Sequence, residues 1–434
     1  MSTNSIQNSL SSRRRFVKTA AAIAAIGTTG ASSQTVLGGV HHSVDDNIKV
    51  GLIGCGGRGS GAVANACRAD SGVVITALAD AFEDRIETCI NGLKRNPDVG
   101  EEKLLVTPET CFSGLDCHEQ LLKADVDVVL LAQPPYFRPE SLKACIEAGK
   151  HVFCEKPVGV DVPGVLSVMD TCETAKGLNL NIVSGLCWRY DLGVRATLEK
   201  IHEGALGDII SIQENYLTGE LWHRGNNPNW SQMEYQMRNW LYYSWLSGDI
   251  PLEQHIHSLD KALWVMHDEP PARAYGTGGR QKRVGEKWGN VYDHFATCYE
   301  WKNGVKTFSY CRQQNGCFNE TEDWVYGTEG RAKILANEVQ GKEGVWKYDG
   351  PKPSMYDVEH QYLFRAIREG VAINNGDYMA KSTLMAIMGR NACYTGKDIT
   401  WDELLADETR LGPASVEFGD VDTMSVPIPG DGIA

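Results

Sequence analysis

The sequence predicts an α/β protein in two parts: a doubly wound parallel sheet, then an α+β region whose large sheet is mostly antiparallel and open on one face. Three observations carry this expectation. At 434 residues the chain exceeds what one hydrophobic core usually serves. From Asn47, unbroken apolar runs (IKVGLIG, VVITALAD, VDVVLLAQ, HVFCEKP) alternate with amphipathic stretches such as SLKACIEAGK, as expected of strands covered on both faces. After Gly204 the pattern changes: DIISIQENYLT, HFATCYEW, KTFSYCRQ and DWVYGTEG alternate apolar with polar residues, as in a sheet with one solvated face.

The chain opens with SRRRFVKTAAAIAAIGTTGAS, a basic start joined to a modest Ala-rich stretch that closes on small residues. Its apolar part, Thr19 to Ile26, is far shorter than the ~20 residues a bilayer helix needs, so no stable membrane anchor is expected. Ser12, Arg13, Arg14, Phe16 and Lys18 resemble the twin-arginine export consensus, which implies a signal over residues 1–33 and a periplasmic or secreted location.

The turn after the first strand reads GCGGRGSG, with Gly54, Gly56 and Gly59 in G-x-G-x-x-G spacing. It follows a strand, opens a helix and precedes Asp80 at the tip of the second strand. That is the context of a Rossmann dinucleotide site. Gly54 permits the tight turn, Gly56 lets backbone approach a pyrophosphate, and Gly59 brings helix and strand together. Cys55, Gly57 and Arg58 belong to the same turn, whose helix N-terminus faces the phosphates. Asp80 accepts bonds from the ribose hydroxyls and repels a 2'-phosphate, which favours NAD over NADP. Gln133, Pro134, Glu155 and Lys156 stand at later strand tips, where the ligand crevice of such a sheet opens. Gly149 fits a helix C-terminal cap, and Asn303-Gly304 marks a hairpin.

The segment Ala132–Pro157, together with WRYDLGVRATLEKIHEGALGDI and SGDIPLEQHIHSLDKALW, resembles the glucose-fructose oxidoreductase and inositol dehydrogenase family of NAD(P)-dependent sugar oxidoreductases. The likeness spans about Ile48 to Leu411. It implies that Lys156 of Glu-Lys-Pro projects toward a substrate hydroxyl near the nicotinamide, where an ammonium stabilises the developing oxyanion. Arg138 departs from the histidine common at that place in the family. The resemblance also implies substrate contacts from Trp188, Arg189 and Tyr190, and a homodimer or homotetramer built through the second sheet.

Helical spacing from about Glu253 clusters Glu253, His257 and Asp260 on one face and turns His255 away. A carboxylate one turn before an imidazole can fix its tautomer, so Glu253 orienting His257 as general base is expected. The family commonly carries Asp where Glu253 stands. A metal site of Glu253, His255 and His257 would need extended backbone, against that pattern, so no metal is expected. Between the two parts, LWHRGNNPNWSQMEYQMRNWLYYSWLSGD is dense in aromatic residues, which fits a carbohydrate cleft or a domain interface equally well.

A net charge of −14 argues against a nucleic-acid face and fits a neutral or cationic small molecule. The 13 cysteines show no C-x-x-C pair, and buried free thiols such as Cys154, Cys187 and Cys298 are expected. These readings divide the chain into a signal over 1–33, an NAD-binding domain over 46–170 and a substrate-binding and oligomerisation region over 171–434. A helix near 357–370 is expected to pack back on the first domain. The expected activity is hydride transfer between a sugar or polyol hydroxyl carbon and a tightly held NAD. A redox-neutral NAD-dependent cleavage of glycosides is the alternative, and a non-enzymatic sugar-binding protein stands behind both.

Overall fold

The computed structural model describes residues 46–431; the export signal expected over 1–33 lies outside them. The first sheet is wholly parallel and contains β1 (Ile48–Ile53), β2 (Val73–Asp80), β3 (Cys111–Ser113), β4 (Val128–Leu131), β5 (His151–Cys154) and β6 (Ile182–Ser184) in the spatial order 3-2-1-4-5-6. All strands point the same way, but the order in which the chain lays them down reverses at the β1/β4 junction, and that switch point opens the crevice at the carboxyl ends of the strands. Strands β1, β4 and β5 are almost entirely buried because helices cover both faces, as their unbroken Val/Ile/Leu runs require. The covering helices include α1 (Gly57–Ala69), α2 (Glu83–Lys94), α3 (Arg138–Glu147) and α4 (Val162–Gly177).

Because α4 and β6 belong to this sheet, the first domain runs past the boundary expected at residue 170. The second sheet begins at β7 (Ile209–Thr218). With β7 it contains β8 (Arg273–Gly279), β9 (His294–Glu300), β10 (Lys306–Gln313), β11 (Glu320–Gly327), β12 (Arg331–Lys333), β13 (Glu338–Gly341), β14 (Gly344–Lys347) and β15 (Ile399–Thr400), in the spatial order 14-13-12-11-7-10-9-8-15. Its neighbours are antiparallel except β7 and β10, which run parallel. The hairpin before β10 closes through Asn303 and Gly304, with Gly304 at φ +86°. The helix Met355–Glu369 returns to the first domain, where Val358, Leu363, Phe364 and Ile367 join the core beside α1.

All 13 cysteines are free, and all but Cys111 and Cys317 are buried. Burial pushes Cys154 up to about 12, as a thiol acting as a small hydrophobe should behave. No helix among the described residues is long and apolar enough to cross a membrane.

Candidate functional site

The glycine turn is built by two close approaches and one open position. Gly54 sits at φ +98°, and a Cβ there would lie 2.5 Å from the Gln133 backbone nitrogen. At Gly59 a Cβ would fall 2.0 Å from the Gly54 carbonyl oxygen, so helix and strand touch only because the side chain is missing. Gly56 differs, since the nearest atom to its would-be Cβ is Arg85 Nη2 at 4.0 Å, and Gly57 meets nothing within 4 Å. Packing therefore accounts for two of the glycines and leaves the middle one facing free space.

Asp80 closes the turn from below. One carboxylate oxygen accepts the Cys55 N–H at 2.8 Å and the other the Phe82 N–H at 3.0 Å. Burial pushes its carboxyl above the usual range, against the pull of those two bonds.

A cavity of about 960 Å³ spreads from this turn, lined by Gly54, Gly56, Gly57, Asp80, Gln133 and Pro134 among others. Gln133 carries the clearest sign of a missing partner: both amide atoms are enclosed and neither is hydrogen-bonded among the described residues. A dinucleotide fits this donor set. Its pyrophosphate has room at Gly56 and the α1 N-terminus, its ribose hydroxyls have Asp80, and its carboxamide or ribose has the Gln133 amide. The opposite wall comes from the aromatic-rich segment, through Trp222, Arg224, Trp230, Arg238 and Trp240. Other residues of that segment, including Met233, Tyr242 and Trp245, form an apolar cluster with Trp288 and Leu411, so it serves as cavity wall and as packing interface at once.

Lys156 reaches the far end of the cavity through Glu253. Its Nζ donates to the Glu253 carbonyl oxygen and lies 3.5 Å from the carboxylate, and Glu253 itself lines the cavity. Lys156 is not on the wall. Glu155 turns inward, where Arg58 bridges it to the fully buried Glu359 at 3.1 Å. Burial raises the Glu155 carboxyl, yet Arg58, Lys156 and Arg138 outweigh it and hold the group below its usual range. The Glu155 carboxylate and Arg58 guanidinium expected at the cofactor are therefore engaged with each other, because a buried charge must be paired. Arg138 also serves the scaffold: its guanidinium donates to the carbonyls of Pro157 and of Gln133, the latter at 2.6 Å, and ties two crevice loops together.

The expected continuous helix from Glu253 is broken. Ile250–Glu253 and Ile256–Val265 are separate helices with Gln254 and His255 between them, so Glu253 does not lie one turn before His257 on a common face. Glu253 turns to Lys156 and makes no hydrogen bond with His257, which corrects the orienting role read from spacing. His257, like Lys156, is not on the cavity wall, and its Nδ1 is enclosed and has no hydrogen-bond partner among the described residues. Burial and then the Lys156 charge push the imidazole well below its usual value, so it is neutral at neutral pH. Asp260 accepts from Arg189 at 3.0 Å and from Ser382 at 2.8 Å, away from the imidazole. His255 points to Ser309 and lies 3.6 Å from Glu214, pushed down to about 3 by burial, so it does not converge with Glu253.

Trp188, Arg189 and Tyr190 are likewise not on the cavity wall. Trp188 lies under Lys261 Nζ. Arg189 is held by Asp260 and Asp268 and stacks on Tyr378 at 3.9 Å, and the Tyr190 hydroxyl donates to Asn375 at 2.8 Å. These three are engaged by side chains of the second region. The spacing of residues did not reveal Arg85, Phe82 or Arg224; only the density of Trp and Arg in the linking segment pointed toward that wall.

Residues 48–181 match the oxidoreductase family with NAD-binding Rossmann fold, and residues 194–333 match the GFO/IDH/MocA C-terminal domain. The chain belongs to this family. It is 27% identical over 259 residues to inositol 2-dehydrogenase 3 of Saccharopolyspora erythraea, covering 60% of this chain and 64% of that protein. It is 27% identical over 282 residues to glycosyl hydrolase family 109 protein 4 of Phocaeicola vulgatus, covering 62% and 50%. The matched regions thus span between half and two thirds of those relatives. Among solved structures, aldose-aldose oxidoreductase of Caulobacter crescentus superposes with a TM-score of 0.63 over 82% of this chain and 99% of that one, at 17% identity, which shows the shared fold.

Proposed function

We propose that the protein transfers a hydride between a hydroxyl-bearing carbon of a sugar or polyol and a resident NAD. The observation that carries this is the continuous path from the open glycine, past the unpartnered Gln133 amide, to Glu253 and the ammonium behind it. A nicotinamide dinucleotide bound there supplies the hydride acceptor. The protein's own groups supply the rest. A substrate hydroxyl displaces Glu253 from Lys156 Nζ, and the ammonium then donates to the oxygen as its charge develops. His257, neutral and within reach of the Lys156 field, takes the hydroxyl proton. Glu253 holds Lys156 in place between turnovers. The Asp80 carboxylate at the tip of β2 favours NAD over NADP.

A second reading has one observation in its favour, the comparable likeness to a glycosyl hydrolase family 109 protein. In that reading oxidation at one carbon activates elimination at another, and the cofactor ends as it began. Further parts of the proposal are export through the twin-arginine-like start, which requires the cofactor to be held before export, and self-association through the open sheet face. There Tyr275 and, two strands away, Phe308 and Tyr310 stay exposed on either side of the strand His294–Glu300.

The test is direct. Protein purified without added cofactor is denatured and the released nucleotide identified by mass; NAD is expected. The intact protein is then given a panel of polyols and sugars while near-ultraviolet absorbance follows the reduced nicotinamide. Released sugar from a glycoside without net reduction selects the second reading, and no bound or bindable dinucleotide defeats both.

A further inference from the structure

The cavity wall carries four arginines, and two of them lack a counterion. Arg58 is paired with Glu155 and Glu359, and Arg238 with Asp84 at 2.7 Å and Glu234 at 2.8 Å. Among the described residues, Arg85 and Arg224 have no carboxylate within ion-pairing distance, although both line the cavity. Asp80 and Asp84 feel the Arg85 charge without contacting it. In a chain of net charge −14, two unpaired guanidiniums facing one cavity mark a place for an anion.

Geometry says which part of a ligand they meet. Arg85 Nη2 hangs over the glycine turn, 4.0 Å from the would-be Cβ of Gly56, the position left open for phosphate. Arg224 comes from the other side of the cavity, on the segment 219–240, and its guanidinium lies over Trp222 at 4.5 Å. That segment is fastened. Asn239 accepts the Arg224 N–H at 2.8 Å and donates to the Gly225 carbonyl at 3.1 Å, and the Tyr242 hydroxyl lies 2.9 Å from the Trp222 carbonyl. Arg238 ties it to the first domain, stacked 4.0 Å over Phe82 while paired to Asp84 on the same helix as Arg85.

Building on the dinucleotide reading above, we propose that Arg85 and Arg224 hold the cofactor pyrophosphate together with the glycine turn, making residues 219–240 a clamp that keeps the dinucleotide resident. A phosphate-guanidinium bond is among the stronger polar contacts, so each loss should speed release at least about tenfold.

The experiment measures the release rate of bound NAD, chased with excess NADH and read by nucleotide fluorescence, in the full chain and in the variants Arg224→Ala, Arg224→Lys and Arg85→Ala. Slow release in the wild type is expected, with at least about tenfold faster release in both Ala variants and partial recovery in Arg224→Lys. NADP release should rise by the same factor. Among the described residues neither side chain has an ion pair to lose, and Arg224→Ala gives up only the stacking on partly exposed Trp222, so the melting temperature without cofactor should move little, which separates a binding effect from unfolding. Wild-type release rates in Arg224→Ala overturn the clamp while leaving the dinucleotide reading intact. A rise confined to NADP assigns the pair to a 2'-phosphate and overturns the pyrophosphate assignment. A wild type that binds no dinucleotide overturns the reading beneath it as well.

Discussion

The two walls of the cavity are made by different means. On the nucleotide side the wall is backbone: a turn whose shape is set by missing side chains at Gly54 and Gly59, with Asp80 catching two N–H groups one strand away. On the opposite side the wall is side chain. Trp222, Arg224, Trp230 and Trp240 stand on a stretch with little regular structure, held by bonds such as Arg238 to Asp84 that span 154 residues. The first wall tolerates no added atom at Gly54 or Gly59, whereas the second is a set of individually replaceable contacts.

The sharpest way to break that comparison is a pair of glycine variants. Gly59→Ala places a Cβ 2.0 Å from a backbone oxygen that cannot yield cheaply. It should cost about 3 kcal/mol of stability and abolish NAD binding, measured by denaturant unfolding and by nucleotide titration. Gly56→Ala, which meets nothing closer than 4.0 Å, should leave stability unchanged and weaken NAD alone. Equal unfolding curves for the two would refute the packing account of the turn.

Next in size is Lys156→Ala, expected to lower kcat by about 100-fold, the usual scale for losing one oxyanion-stabilising group. A pH profile sharpens the result. Burial and Lys156 both hold His257 neutral, so the acid limb of kcat/KM in the wild type should lie below the ordinary histidine value of about 6.5. Removing the Lys156 charge raises the imidazole's affinity for a proton and should move that limb upward. An unmoved limb would mean that His257 is not the titrating base.

Behind the site, Glu214 is fully buried, and burial and then Asp323 raise its carboxyl well above the usual range. The folded protein therefore binds a proton that the unfolded chain releases above pH ~4.3, and stability falls as pH rises from there toward the folded value. Glu214→Gln removes this penalty, so Tm should rise at pH 8 and change little at pH 4. The smallest effect is expected of Arg238→Ala. Asp84 is 59% exposed, so its ion pair is solvent-screened, and the loss should be no more than about 1 kcal/mol in denaturant unfolding. A loss several times larger would show the second wall to be as rigid as the first.

The glycine spacing, the strand it follows and Asp80 lie within one short stretch of chain and depend on local backbone geometry, so they were legible without coordinates. The error at Glu253 has an equally physical origin. Regular periodicity through LEQHIHSLDKALW assumed one helix, but Lys156, 97 residues away in sequence, takes the Glu253 carbonyl and carboxylate, and the helix breaks at Gln254. Trp188, Arg189 and Tyr190 showed the same weakness: their residue types suit a sugar, yet Asp260, Asp268 and Asn375 occupy Arg189 and Tyr190, and all three side chains lie off the cavity wall.

By itself the sequence determined the two sheet types, the parallel order of the first sheet's strands and the dinucleotide turn, because strand periodicity and glycine conformation act over a few residues. Only the tertiary structure decided which charges neutralise one another and which are left facing the cavity. Ion pairing between Arg58, Glu155 and Glu359, and the absence of any such pairing at Arg85 and Arg224 among the described residues, depends on groups brought together from far apart in the chain.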